Sequence, residues 1–448
     1  MKFLKKILQS TLIKGTLLLS LAGILCRCIG FLYKIFLSRE IGATGLGLYQ
    51  LIFPIYALCL SLTTSGFQTA ISKYVSEKEA SQNPGEAKLY LVCGLLCSTF
   101  GCVVVTMLLN HYREFIGLYI LKEPQSISLI KTMSYSLIPA AVHSCINGYY
   151  YGKKKAAIPS ASQLAEQLGR CLVIYLIFRI TQQKQIPFTA SHAIWGLLIG
   201  EFFALAICLP PLLFDFKHCR GNIKKATLSI IAFAIPVSAN HVFMSLFSSI
   251  ENLLIPQKLM LFGYQHDDAL SIYGTLTGMA MPVILLPMVF TGSISVLLLP
   301  IISNAKAKGD SDTITRFIGK AVRYSLLVGF CFTFVFILCS HIIGEVLFHN
   351  VLAGVYIARL SWICPFLFLT SLLASIFHGL GNPSFPLKVN LLSCVIRILF
   401  IWFGIPNWGI YAYLFGMLIS YGVSGIIYLI YTSSITQKDT RKLSSPGV

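Results

Sequence analysis

Ionisable side chains stranded inside long apolar stretches are the residues of this sequence that could do chemistry. Arg27 and Lys34 stand seven apart in the first such stretch, on one helical face with Gly30. In the fifth, Gln163, Glu166, Gln167 and Arg170 recur at i, i+3, i+4 and i+7, one polar stripe on a helix. Glu201 lies near the middle of the sixth, and His241, Ser245, Ser248 and Glu251 share a face of the seventh. Arg397 lies inside the eleventh, and Ser61, Ser65, Gln68 and Ser72 line one side of the second. A charge at the bilayer centre costs roughly 2.5–3.5 kcal/mol on insertion scales, so each of these needs a reason.

The residue types suggest two kinds of work. Arginine's planar fork suits phosphate or carboxylate, so Arg27, Lys34, Arg170 and Arg397, with Gln68, are candidates to bind an anionic group. Glu166, Glu201, His241 and Glu251 suit coupling to a proton or cation, or gating. Plainer readings compete. Glu166 and Arg170, at i, i+4 spacing, can neutralise each other. Lys34 and Glu251 stand near helix ends and can snorkel to headgroups. Asn240 and His241 suit helix-to-helix hydrogen bonds. Arg27 and Arg397 have no partner within one turn and carry the ligand reading best.

The elements that must position these residues are membrane helices. Of 448 residues, 56% are hydrophobic and 11% charged, against about 25% charged in an average soluble domain. The apolar runs are continuous and lack the alternation of a barrel strand. Twelve spans are expected, near 11–38, 46–72, 88–110, 126–151, 157–180, 190–214, 228–255, 273–300, 318–341, 355–378, 387–405 and 408–432. The N-terminus imitates a signal peptide, but Ile24-Leu25-Cys26 lacks a small residue before the cut and the apolar run continues to Leu37, so an uncleaved first helix is expected. The expected fold class is an all-α polytopic membrane protein.

The net charge of +19 is spread over short loops rather than gathered in a patch or tail, which points to membrane topology and away from nucleic acid. Lys2, Lys5, Lys6, Lys78, Lys88, Lys153–Lys155, Lys217, Arg220, Lys224, Lys225, Lys306, Lys308, Arg316, Lys438, Arg441 and Lys442 share one side. That bias places both termini in the cytoplasm. Pro139, Gly152, Pro159 and Arg170 find counterparts in Pro365, Gly381, Pro386 and Arg397, an offset of 226 to 229 residues. Two six-helix bundles, 1–222 and 223–432, followed by a cytoplasmic tail at 433–448, would then be related by a pseudo-two-fold axis along the membrane normal. The ligand would sit between them.

No metal or cofactor is expected. The 14 cysteines lie mostly inside apolar segments and form no CxxC pair. No P-loop, HExxH or GxSxG occurs, so an enzyme is not expected, and energy must come from an ion gradient, the membrane potential or the substrate's own gradient.

The stretch from Arg27 through Gly30-Phe31, Lys34, Ser38-Arg39 and Gly42 to Tyr49-Gln50 resembles the first span of the stage V sporulation protein B family. The likeness continues through Pro54-Ile55-Tyr56, Thr64–Lys73, Glu166-Gln167 with Arg170, Ile255–Leu259 and Tyr273–Pro282. The resemblance implies the multidrug/oligosaccharidyl-lipid/polysaccharide exporter superfamily, with two bundles around a cavity and alternating access. It also implies a lipid-linked peptidoglycan precursor of the lipid II type as substrate, during spore cortex formation. The bilayer, the lipid-linked oligosaccharide and cell-wall synthesis proteins are the partners expected. Arg27 is similar to an arginine of the related lipid II flippases, whose next cavity arginine falls at Tyr33 here, beside Lys34. Those relatives have fourteen spans against the twelve expected here. A multidrug exporter on the same fold and a non-transporting scaffold of cortex synthesis are the alternatives.

Overall fold

The computed structural model describes residues 11–215 and 221–443, which are helical apart from short turns and linkers, with no strand among them. Lys2, Lys5, Lys6, Lys217 and Arg220, on which the expected orientation leans, lie outside the described residues, as do the side chains of Lys438, Arg441 and Lys442. Backbone groups in hydrocarbon have no water to bond, so long apolar stretches close their hydrogen bonds within themselves. Twelve long helices result among the described residues. α1 (11–41) and α2 (43–80) meet at Gly42, whose φ of 68° with ψ of −177° is open to glycine without strain. The others are α3 (Pro84–His111), α4 (Ser126–Gly152), α5 (Ala157–Gln183), α6 (Trp195–Asp215), α7 (Ile223–Phe262), α8 (266–307), α9 (Ser311–Ile342), α10 (351–379), α11 (384–408) and α12 (Ile410–Leu443). α12 continues to Leu443, through most of the stretch expected as a tail.

Nine described segments are long and apolar enough to cross a membrane, and Leu18–Ala80, with 63 residues, has length for two crossings. α4 and α5 have 27 residues each and reach spanning length too, with more polar side chains. The chain is a multi-pass helical membrane protein.

Its contacts divide into two compact units, Met1–Leu253 and Leu254–Val448. The first has a core of Ile71, Val75, Leu91, Ile146, Tyr149, Tyr150 and Leu212, drawn from α2, α3, α4 and α6. The first part of α7 also belongs to this unit. Its Ala226, Ile230 and Ala234 pack with Ala70, Leu89, Tyr90 and Cys93, and the Ser249 hydroxyl donates to the Pro54 carbonyl at 2.9 Å. Gly66 makes this seam possible, because a Cβ there would collide with the Ala234 carbonyl and meet the Ser238 nitrogen at 3.0 Å. The second unit closes on Leu298, Ile302, Ile314, Leu373, Ile376, Phe377 and Tyr428, from α8, α9, α10 and α12.

The two units repeat one another in detail. Thr106 Oγ1 donates to the Ser134 carbonyl at 2.9 Å in the first, and Thr333 Oγ1 to the Ser361 carbonyl at 2.8 Å in the second, each pair 28 apart and displaced by 227 residues. Wide turns at Ile116–Ile120 and Ile343–Leu347 obey the same displacement. So do the left-handed residues Gln82 and Gly309, and Lys154 and Gly381. The register is therefore 227. Pro159 with Pro386 and Arg170 with Arg397 obey it, whereas Gly152 answers to Gly379 and Pro139 to Phe366, not to Gly381 and Pro365. Two helix–turn–helix loops face each other in each unit, and the same two positions bridge them by different chemistry: Glu79 to Lys153 at 3.7 Å, and Lys306 to the Leu380 carbonyl at 2.5 Å.

The Gly66 seam gives a direct stability prediction. Gly66→Val lowers stability by about 1–3 kcal/mol, the usual cost of overpacking, read as a fall in the melting temperature of the detergent-purified chain. Gly292→Val, whose Cβ would meet nothing within 4 Å, leaves the melting temperature in place.

Candidate functional site

The sequence places polar stripes on α5 and α6, and the packing of these helices decides what the stripes can do. A Cβ at Gly200 would meet the Glu166 carbonyl at 3.0 Å and Arg170 Cβ at 3.3 Å, so this glycine lets α6 lie directly against the charged stripe of α5. Glu166 and Arg170 therefore face Glu201, and α4 adds His143 from the third side.

His143 is the hub of the resulting network. Its Nδ1 lies 3.1 Å from Glu201 Oε2, and its Nε2 lies 2.8 Å from Asn147 Nδ2 and 3.1 Å from Ser162 Oγ. Ser162 also donates to Asn147 Oδ1 at 3.2 Å and can reach the Pro159 carbonyl at 3.0 Å. None of the four residues is more than 8% exposed. Arg170 Nη2 donates to Glu166 Oε1 at 2.5 Å. Two further polar atoms, Arg170 Nε and Gln50 Nε2, are buried without a hydrogen-bond partner among the described residues, and Tyr56 is close enough to Glu201, Glu166 and Arg170 to feel their charges.

The donors of His143, Glu166 and Glu201 lie within 4.8 Å of one another, near enough to share a single cation. Both imidazole nitrogens are nevertheless occupied by hydrogen bonds, and Arg170 already brings one positive charge to Glu166. With His143 neutral, two carboxylates and one guanidinium leave the cluster at one net negative charge. It is a buried, hydrogen-bonded site able to accept one more positive charge.

The expected site residues divide between this cluster and other places. Glu166, Glu201 and Arg170 belong to the cluster. Arg170 was expected among contacts to an anionic ligand, and the structure instead pairs it with Glu166, because the i, i+4 spacing on α5 puts fork and carboxylate in reach. Gln68 Oε1 accepts from Ser144 Oγ at 3.1 Å and ties α2 to α4. Arg27 is exposed on α1 and Lys34 half-buried, and neither makes an ion pair with a described residue. His241 is exposed and Glu251 buried on α7. In the second unit Arg397 is half-buried, its Nη2 3.3 Å from Cys394 Sγ and its guanidinium 5.9 Å from the Tyr421 ring centre.

Sequence reasoning missed His143, Asn147 and Ser162. The signal was present: His143 and Asn147, at i, i+4, are polar residues within an otherwise apolar span. The Glu166–Arg170 pair is testable by itself. Glu166→Gln leaves a buried guanidinium uncompensated and lowers stability by about 3–5 kcal/mol, whereas adding Arg170→Met restores most of it. Equal melting temperatures for the single and double variants, measured on the purified chain, would contradict the pairing.

The polysaccharide biosynthesis protein family matches residues 12–306, and the MatE family matches residues 242–403. Stage V sporulation protein B of Bacillus subtilis (strain 168) is 26% identical over 72% of this chain, and the match spans 64% of that relative's length. Lipid II flippase MurJ of the same organism is 22% identical over 87% of this chain and 77% of its own. Among solved structures, an inward-facing multidrug resistance MATE family transporter of the MOP superfamily superposes with a TM-score of 0.75 at 12% identity, covering 94% of this chain and 96% of its own. A MOP superfamily transporter from Pyrococcus furiosus gives 0.67 at 13% identity, over 97% and 98%. The likeness to these structures concerns the fold. With two thirds of its length matched by the family and its two helical units built on one repeat, this chain belongs to the polysaccharide biosynthesis protein family.

Proposed function

We propose that the chain is a flippase that moves a lipid-linked oligosaccharide across the membrane by alternating access. The substrate in this reading is a lipid II-type peptidoglycan precursor for the spore cortex, and both termini are cytoplasmic. The observation that carries it is the unequal charge of the two repeats. Arg170 has Glu166 four residues before it, whereas its counterpart Arg397 has Ser393 there, and Glu201 is answered by Tyr428. Arg397 thus keeps its cation while the positions of the first unit's two glutamates hold serine and tyrosine, which suits a pyrophosphate-bearing headgroup.

Arg27, Lys34, Gln68 and Arg397 are the proposed headgroup contacts. Arg170 passes to the coupling set with Glu166, Glu201 and His143, while His241 and Glu251 on α7 are proposed for gating. Cell-wall synthesis proteins are the proposed consumers of the flipped substrate. The relatives named above include a sporulation protein and a lipid II flippase, which supports this substrate class. The MatE match over 242–403 and the multidrug transporter fold favour a second reading, a multidrug exporter. That reading predicts drug tolerance on overproduction.

Vesicles reconstituted with the chain and labelled lipid II should expose label in the opposite leaflet above the level of protein-free vesicles. Equality with protein-free vesicles removes the transport reading. Arg27→Ala and Arg397→Ala should each cut the rate about tenfold or more, the value of a lost charge-assisted contact near 1.5 kcal/mol, with membrane expression unchanged on an immunoblot. Full activity in either variant removes that residue from the headgroup site.

A further inference from the structure

We propose that His143, Asn147 and Ser162 form a two-state hydrogen-bond relay that takes up a single proton at His143 Nε2 and passes its arrival to the start of α5. This rests on the coupling role given above to the His143–Glu201–Glu166–Arg170 cluster, and it names the coupling ion as a proton.

The relay follows from donor and acceptor identities. Glu201 is a carboxylate that only accepts, so His143 Nδ1, 3.1 Å away, carries its hydrogen. A neutral imidazole then has a bare lone pair at Nε2, and the Asn147 amide fills that need by donating from Nδ2 at 2.8 Å. The Asn147 carbonyl consequently points away from the ring and accepts from Ser162 at 3.2 Å. Each of these contacts pairs one donor with one acceptor, in one orientation.

A proton added at Nε2 reverses the chain. Nε2–H and Nδ2–H would then be two donors 2.8 Å apart, leaving Ser162 Oγ at 3.1 Å as the acceptor within reach of Nε2. Turning the Asn147 amide over removes this donor–donor contact, presenting Oδ1 to the ring and Nδ2 to Ser162. Ser162 then accepts, and its own hydrogen swings to the Pro159 carbonyl, already 3.0 Å away. Again each contact pairs one donor with one acceptor. The relay thus has two complete states separated by one proton, joining Glu201 on α6 through His143 on α4 to the first turn of α5. Bistable networks of this kind convert a small local event into a shift between packed elements.

The charged groups facing His143 support uptake of one proton. Glu201 comes from α6, Glu166 and Arg170 from α5, and the Tyr56 hydroxyl from α2. The net charge of one negative is cancelled by a single proton. A sodium ion, by contrast, would have to share the carboxylates that His143 and Arg170 already engage.

The test reads the ring directly, in the full chain in lipid nanodiscs with 15N only in its nine histidines. Subtracting the spectrum of His143→Gln isolates the His143 signals. The expected result is a protonated Nδ1 with a bare Nε2 at high pH, and two protonated nitrogens on acidification. Asn147→Asp offers an acceptor where the charged state needs one, and should hold the proton about tenfold more tightly, one pH unit in the midpoint. Saturating sodium should leave the titration where it is. A bare Nδ1 at high pH, a midpoint indifferent to Asn147→Asp, or displacement of the proton by sodium overturns the relay. If His143→Gln does not fold, the Asn147→Asp titration and the sodium arm decide alone. No transport is measured, so the relay can fail while flipping stands, and flipping can fail while the relay stands.

Discussion

A charge placed in hydrocarbon must be answered within the reach of a side chain, and this constraint shapes the first unit from backbone to site. Water can neither solvate the Arg170 guanidinium there nor screen Glu166, so the two are held fork to carboxylate on one helix. The remaining carboxylate, Glu201, is answered from another helix by His143. Satisfying both demands at once requires α4, α5 and α6 to approach closely, which is why a glycine stands at position 200. Packing and electrostatics are one problem at this place.

The repeat shows which parts of that solution are scaffold and which are chemistry. Both units retain the threonine-to-serine-carbonyl bond between α3 and α4 or between α9 and α10. They retain the wide turns and the left-handed loop corners as well. These features concern backbone groups that any membrane helix must satisfy. The interior charges did not follow them. Threonine, serine and tyrosine at 370, 393 and 428 stand where the first unit has histidine and two glutamates, and arginine alone survives at both places. One architecture thus carries an acid–base cluster in one half and, in the other, an arginine whose repeat-related neighbours are threonine, serine and tyrosine.

Much of this was legible in the residues. Length and continuity of the apolar runs fix the helices, since nothing else spans a bilayer with its backbone satisfied. The i, i+4 spacing within α5 announces the Glu166–Arg170 pair because both partners share one helix. The His143 network was hidden for the complementary reason: its members come from α4, α5 and α6, and side-chain period along one helix says nothing about which neighbour it meets. The repeat register was blurred to within a few residues because proline and glycine matches are common by chance. Hydrogen bonds with identical spacing resolve it.

The loop corners have a developmental consequence. Gln82 and Lys154 adopt left-handed backbone at φ of 56° and 59°, a conformation uncomfortable for side-chain-bearing residues, and the corresponding corners downstream are Gly309 and Gly381. The upstream corner is the middle of three consecutive lysines, where the later half reads Leu380-Gly381-Asn382. Glycine would relax the bend but forfeit a cation, and cations flanking early segments guide how a nascent polypeptide threads into the bilayer. At Lys154 the earlier half thus keeps a cation on a left-handed corner, while the later half bends at glycine at both corresponding corners.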